Sequence, residues 1–131
     1  MGLVIDLRAN LGGDDRLGLT AASRLTQQYP AYRVETRVAG TAPEVPKATA
    51  MTVVPSQPPR FSGPVAALIG PLTMSAGEIF AAALMGRSLH ITTIGEPTQG
   101  LVGGALGRRL PNGRVFGLPN TNNCVTGRPL L

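Results

Sequence analysis

Short apolar runs separated by glycine- and proline-rich stretches dominate the pattern of hydrophobic and polar positions. Three runs have the length and the continuous apolar character of strands covered on both faces: Leu3–Leu7, Val65–Ile69 and His90–Ile94. A fourth segment, residues 31–39, alternates Tyr, Val and Thr with Arg and Glu, which predicts a half-buried strand.

Two segments carry a helical pattern. Residues 17–28 place apolar side chains at positions 17, 21, 22 and 25. This spacing predicts a helix with Asp14 or Asp15 as N-cap and Tyr29-Pro30 as the stop. Residues 75–85 are apolar nearly all round, so we expect a helix buried on most sides that ends at residues 86–88.

The remaining segments are punctuated by Gly and Pro. Residues 40–59 predict an extended loop with a short strand at 50–54, and residues 95–107 predict a glycine-rich loop. Residues 108–116 predict two short strands around a Pro-Asn-Gly turn, and the tail from 120 to 131 has no clear period. The order of elements predicts one α/β domain over residues 1–131, with a mixed, partly parallel sheet and flanking helices.

Composition narrows the classes of function. With 131 residues and 43% hydrophobic residues, the chain can bury one core. The net charge of +5 comes from scattered basic residues with few aromatics, which argues against nucleic-acid binding. No apolar run approaches the roughly 20 residues of a membrane span. One His, one Cys and dispersed acids give no metal-ligand cluster, and no phosphate-loop motif occurs, so we expect neither metal nor cofactor.

The segment T-M-S-A-G-E, residues 73–78, supports two interpretations. S-x-x-E before an apolar helix is a capping box, in which Ser75 and Glu78 bond to each other's backbone N–H. A serine at a strand-turn-helix junction can instead be a nucleophile, because free N–H groups point outward there. Ser75 would then attack a carbonyl, and the N–H of Ala76 would stabilise the oxyanion.

A second glycine turn favours the nucleophile. The run LVIDLRANLGG, residues 3–13, is a predicted strand that ends in Asn-x-Gly-Gly. Ligands of open α/β sheets bind beyond the carboxyl ends of strands, and Ser75 also follows a strand. Gly12 or Gly13 is therefore a candidate for the second oxyanion donor.

Four motifs resemble a known family. They occur in the family's order: DLRANLGG at 6–13, TMSAGEIFAAAL at 73–84, IGEPTQG at 94–100 and LPNG at 110–113. Over residues 2–123 the chain resembles the protease core of the C-terminal processing peptidases, also called tail-specific proteases, and looks closest to the tricorn-like and retinoid-binding-protein-like branch. The resemblance implies a ClpP/crotonase-like layered α/β core and serine endopeptidase chemistry.

The resemblance also implies roles for individual residues. Ser75 matches the nucleophile, Ala76 and one of Gly12 and Gly13 match the oxyanion donors, and Glu78 matches a family position beside the serine. The family favours a periplasmic or secreted location, although the N-terminus lacks the basic region and cleavage site of a signal peptide.

No general base is evident, although a serine nucleophile needs one. In the lysine-using branch of the family a Lys follows G-E-P-T-x-G, and Leu101 stands there. Lys47 is predicted to be a solvated loop residue. In the tricorn-like branch the base is an upstream histidine and an acidic residue follows downstream, both beyond this chain. His90, the sole histidine, is either a core residue or the base.

The other acidic residues have structural interpretations. Asp6 is expected to pair with Arg8 or to cap a loop. Glu96 is expected to hold its glycine-rich turn by hydrogen bonds.

The sequence therefore predicts a serine hydrolase, most consistent with a peptidase that acts through a Ser75 acyl-enzyme. Two alternatives stay open: an esterase for small esters, whose leaving groups need less acid catalysis, and a silent fragment that binds a peptide or ligand. The abrupt start in a strand pattern is typical of a core cut from a longer protein. Such a core exposes apolar surface, so we expect self-association or association with the missing segments.

Overall fold

The computed structural model describes residues 1–26, 29–36, 47–85, 87, 91–119 and 121–124. Within them the chain forms, in order, β1 (Leu3–Asp6), α1 (Asp15–Ser23), β2 (Tyr29–Thr36), β3 (Lys47–Val53), β4 (Val65–Ile69), α2 (Ala76–Leu84), β5 (Ile91–Gly95), β6 (Ala105–Arg109), β7 (Val115–Pro119) and β8 (Thr121–Cys124).

The three predicted buried strands form one parallel sheet in the order β1-β4-β5. Leu3 pairs with Val65, and Val65 pairs with Ile91. The central strand β4 alternates buried and half-buried residues. Strands β1 and β5 instead alternate half-buried and exposed residues, so the prediction that they are covered on both faces is wrong within the described residues. Because all three strands run the same way, their carboxyl ends, and the loops that follow them, meet at one edge of the sheet.

Helix α2 connects β4 to β5 and forms the middle of the core. Eight of its residues are buried, as the apolar pattern predicts. Its Ala81 packs against Leu7, which follows β1, and Ile69, the last residue of β4. On its other side, α2 contributes to a second cluster with α1 and β3: Ala22, Val53, Ile79 and Ala83. The layered α/β prediction is thereby confirmed, and no helix in the described part of the chain is long and apolar enough to cross a membrane.

A second, antiparallel sheet has the order β3-β2-β8. Within residues 40–59, the sequence predicts a short strand at 50–54, but β3 already begins at Lys47 and ends at Val53. Lys47 is therefore a strand residue and not a loop residue; residues 40–46 lie outside the described part. Strand β8 was missed, since its sequence TNNC has no alternation and its pairing with β2 is set by long-range contacts.

Helix α1 ends at Ser23, earlier than the predicted end at residue 28. The Ser23 hydroxyl donates to the carbonyl of Thr20 at 2.6 Å, and the Thr26 hydroxyl donates to that of Ala22 at 3.1 Å. These side chains compete with helical hydrogen bonds, which favours termination. Tyr29-Pro30, the predicted stop, belongs to strand β2.

Arg87 fixes the end of α1 to the segment before β4. Its guanidinium donates to the carbonyls of Leu25, Phe61 and Gly63 and lies 5.8 Å from the centre of the Phe61 ring. Burial lowers the pKa of Arg87, and carbonyls rather than carboxylates surround the charge. The arginine thereby joins the segment that follows α1 to the segment that precedes β4.

The two strands β6 and β7 pair only with each other within the described residues. They enclose the predicted Pro-Asn-Gly turn but are longer than predicted. Three residues of the expected 95–107 loop, Ala105 to Gly107, belong to β6, and Gly95 belongs to β5.

Candidate active site

Ser75 lies at the junction between β4 and α2 in a strained backbone conformation. Ser75 is the N-cap of α2 and has a φ of 51° and a ψ of −121°. It is the one non-glycine residue with positive φ in the described part of the chain. Such a conformation costs on the order of 1–3 kcal/mol and persists only where neighbouring contacts enforce it. A strained serine on a strand-to-helix turn is the geometry of a nucleophile elbow.

Ser75 and Glu78 form one half of the predicted capping box, the half that uses the Glu78 side chain and leaves the serine hydroxyl out. The Glu78 carboxylate accepts the Ser75 N–H at 2.9 Å, and the Glu78 N–H donates to the Ser75 carbonyl at 2.9 Å. The Ser75 hydroxyl makes no cap hydrogen bond. The two sequence interpretations are therefore compatible: Glu78 caps the helix while the hydroxyl stays available for other chemistry.

Glu78 is fully buried and accepts hydrogen bonds from three directions. Besides Ser75, the Thr98 hydroxyl and the Gly100 N–H each donate to Oε1 at 2.7 Å. No cation pairs with this carboxylate among the residues that the structure describes. Hydrogen bonds to a charged acceptor are the strong ones, and a buried carboxylate requires them. Glu78 therefore joins the serine turn to the loop that follows β5.

That loop, residues 96–104, lies along the serine turn. The Gln99 N–H donates to the Thr73 carbonyl at 3.0 Å, and the Ser75 N–H also donates to the Leu101 carbonyl at 3.0 Å. The Glu96 N–H reaches the Ile69 carbonyl at 3.3 Å, whereas its carboxylate is exposed and makes no hydrogen bond to the described residues. The expected loop-holding role of Glu96 thus falls to its backbone.

The first glycine turn packs directly against the serine. Gly12 has a φ of 98°, and a Cβ added to it would lie 2.7 Å from Ser75 Cβ and 3.2 Å from Ser75 Oγ. The Asn10 carbonyl accepts the Met74 N–H at 3.0 Å, which fixes one turn against the other. The structure thus brings together the two glycine turns that the sequence predicted to line one crevice.

The two candidate glycines differ in what their N–H groups do. The Gly12 N–H donates to Asn10 Oδ1 at 2.9 Å. The N–H groups of Gly13 and Ala76 have no acceptor among the described residues. Only the latter pair can therefore donate to a ligand without breaking an existing hydrogen bond.

A cleft of about 480 Å³ surrounds this site. Its volume lies within the range of small-molecule and substrate pockets. Its lining residues come from the first glycine turn, the start of α1, strand β3, the serine turn, and the loop before β6 together with the first residue of β6. They are Gly13, Asp14, Asp15, Arg16, Met51, Ser75, Gly103, Gly104 and Ala105. Asp14 caps α1 by accepting the Arg16 N–H at 2.9 Å.

Two positioning residues were not singled out from the sequence. Thr73 is fully buried, and its hydroxyl donates to the Leu7 carbonyl at 2.8 Å while it accepts the Gly70 N–H at 3.0 Å. Asn10 holds Gly12 and lies so close to Gly77 that a Cβ there would be 2.9 Å from Asn10 Oδ1. The Asn-x-Gly spacing was the available signal for Asn10, since Asn favours such local turns.

The other sequence candidates lie away from this arrangement or outside the described residues. Asp6 pairs with Arg8 at 2.7 Å, as one of its two interpretations predicted, and hydrogen bonds from Arg8 lower the pKa of Asp6 to about 2. His90 lies outside the described residues, so its role stays a prediction. Within the described part, no group of three or more His, Cys, Asp or Glu residues can hold a metal ion.

Replacing Glu78 by Gln should lower the free energy of unfolding by about 2 kcal/mol. One carboxylate oxygen becomes an NH₂ group, which would face a donor instead of accepting from it. Urea unfolding measures the change. Glu96→Gln makes the same chemical change on an exposed carboxylate and should leave stability within about 0.5 kcal/mol; equal effects of the two substitutions would contradict the role of Glu78.

Replacing Gly12 by Ala should destabilise the chain more than replacing Gly113 by Ala. Both glycines have positive φ, 98° and 82°, so both variants carry backbone strain. Only at Gly12 does the added Cβ collide with Ser75, since nothing lies within 4 Å at Gly113. We expect an additional loss of about 1–3 kcal/mol in urea unfolding, and indistinguishable variants would show that Gly12 does not abut the serine.

Solved structures share this fold. Mature CPAF complexed with lactacystin matches with a TM-score of 0.80 and 13% identity, covering 95% of this chain and 36% of that chain. The photosystem II D1 C-terminal processing protease matches with a TM-score of 0.67 and 22% identity, covering 95% and 30%. A lipoprotein from Streptococcus agalactiae matches with a TM-score of 0.69 and 17% identity, covering 95% and 44%. The chain thus spans less than half the length of each of these proteins.

The family is shown by sequence. No curated protein sequence matches the chain. The sequence model of Peptidase family S41, however, matches residues 1–123, which include all four motifs that carried the resemblance. The chain belongs to peptidase family S41.

Proposed function

We propose that the chain is the core domain of a serine peptidase in which Ser75 is the nucleophile. The observation that carries this proposal is the strained Ser75, which lines a cleft at the carboxyl edge of the parallel sheet and whose hydroxyl makes no cap hydrogen bond. The strain has no structural benefit for α2, because an unstrained serine can cap a helix equally well. Membership of peptidase family S41 supports the same chemistry.

The oxyanion donors in this proposal are the N–H groups of Ala76 and Gly13. Both lack acceptors among the described residues. Ala76 directly follows Ser75 in the chain, and Gly13 lines the same cleft as Ser75. Ala76 also opens α2, so the positive end of the helix dipole supports the developing negative charge. Gly12 then acts through its small size, because a side chain there would displace the serine.

The reaction proceeds through an acyl-enzyme. Ser75 Oγ attacks the peptide carbonyl carbon and loses its proton to a general base, and the amine leaves with a proton. Water then attacks the ester and releases the acyl product. The described residues that line the cleft include neither His nor Lys, so we place the base outside them, at His90 or on a further segment of a longer protein.

The similar structures support a finer proposal on substrate and location. One of them is the photosystem II D1 C-terminal processing protease, which supports cleavage near the C-terminus of a peptide. Another is a bacterial lipoprotein, which supports an extracytoplasmic location.

A second candidate is a chain that binds peptides without cleaving them, and the lack of His and Lys from the described lining favours it. A site without a strong acid-base pair would also favour small activated esters over amides, since alkoxides leave more readily than amines.

Ser75 should form a covalent adduct with a fluorophosphonate. Intact-mass spectrometry should show one adduct on the parent chain and none on Ser75→Ala. Ser56→Ala serves as the control, because Ser56 lies outside the cleft, and should keep the adduct. An adduct on Ser75→Ala would refute the nucleophile assignment, and no adduct on the folded parent would favour the silent peptide binder.

Ala76→Pro should slow fluorophosphonate labelling by about 100-fold. Proline is favoured at the first position of a helix, where it removes an N–H that has no helical partner. The substitution therefore deletes the proposed oxyanion donor and leaves α2 intact, which circular dichroism verifies. A labelling rate equal to that of the parent would remove Ala76 from the oxyanion site.

A further inference from the structure

The β6–β7 hairpin is exposed on both faces along its whole length. Its register places Leu106 opposite Leu118 and Arg108 opposite Phe116. These four residues share one face, since side chains alternate along a strand. The three apolar side chains on this face are 40–52% exposed. An apolar strip of this kind on a two-stranded ribbon indicates a contact surface.

The hairpin is also strongly basic. It carries Arg108, Arg109 and Arg114, and the sequence contains no acidic residue after Glu96. The ion pairs of the described residues lie elsewhere, at Asp6 and Asp14. The three arginines therefore form an uncompensated positive field that attracts acidic groups.

The hairpin continues one wall of the Ser75 cleft. Ala105 lines the cleft and is also the first residue of β6. Arg108 follows three residues later, about 10 Å along the strand. Within the described residues, the other edge of β6 has no strand partner. A chain that leaves the cleft in an extended conformation can therefore add to this edge through backbone hydrogen bonds.

We propose that the β6–β7 hairpin binds an acidic, apolar segment of the peptide substrate. This proposal rests on the proposed peptidase function and specifies its substrate class. Apolar side chains of the peptide pack on Leu106, and Phe116 and Leu118 of β7 extend that apolar face on the far side of β6. A carboxylate about three residues from the scissile bond pairs with Arg108. Arg109 and Arg114 strengthen the attraction from the turn end of the hairpin.

Charge decides between this occupant and two others. A second copy of the hairpin would bring three arginines against three arginines, and like charges in close pairing are destabilising. A nucleic acid would pair with the arginines but would not cover the two leucines of the apolar strip. Phe116 is the one aromatic side chain on the hairpin that could stack on a base. An acidic, apolar peptide satisfies both.

Fluorescence anisotropy on the Ser75→Ala chain tests the proposal, because binding is then measured without hydrolysis. The probes are two short labelled peptides, one alternating Leu and Glu and one alternating Leu and Gln. We expect the Glu peptide to bind about tenfold more tightly at low salt, and the preference to shrink as salt screens the charges. The triple variant Arg108→Gln, Arg109→Gln, Arg114→Gln should abolish the preference, and Arg60→Gln, an exposed arginine outside the hairpin, should retain it.

Four results would overturn the proposal. The two peptides could bind equally, or Arg60→Gln could abolish the preference as fully as the triple variant does. An oligonucleotide could bind with the same dependence on the three arginines, which would indicate a general polyanion surface. Sedimentation velocity could show that the triple variant dissociates a dimer while neither peptide binds. Failure of Ser75 to react with fluorophosphonate would overturn only the peptidase function, because the binding assay does not use the serine.

Discussion

The buried carboxylate of Glu78 is the interaction on which the arrangement of the site depends. Its side chain accepts hydrogen bonds from the N–H of Ser75, the N-cap of α2, from the hydroxyl of Thr98 and from the N–H of Gly100. These donors come from two segments that are distant in sequence. A charge without a cation is tolerable in the interior only when its oxygens are saturated with donors. The loop after β5 is therefore held against the serine turn by an electrostatic requirement and not by apolar packing alone.

Small residues make the close approach of the segments possible. Gly12 abuts Ser75, Gly77 abuts Asn10, and alanines occupy much of the buried surface of α2. Backbone groups can then form hydrogen bonds directly between the turns at the carboxyl edge of the sheet, such as those of Met74 with Asn10 and of Ser75 with Leu101. Larger side chains at these glycines would push the turns apart. The hydrogen bonds between the turns fix the position of the serine backbone.

Local chemistry explains how much could be predicted from the sequence. The positions of the three parallel strands, helix α2 and the Ser75–Glu78 pair follow from patterns that each segment carries by itself. The meeting of the two glycine turns follows from the rule that ligand-binding loops gather at the carboxyl ends of parallel strands. Whether Gly12 or Gly13 has a free N–H does not, because the answer depends on the Asn10 side chain. Strand β8 was missed for a related reason, since its pairing partner β2 lies far away in sequence. The early start of β3 was missed because pairing with β2, and not a local pattern, sets it. The three hydrogen bonds of Glu78 likewise needed the position of a loop that no local pattern specifies.

The conformation of Ser75 has a consequence for how selection acts on this position. A φ of 51° is one that glycine adopts without steric penalty. The proposed mechanism instead requires a side chain that can form a covalent bond at this position. Backbone strain and the proposed reactivity therefore favour different amino acids at position 75.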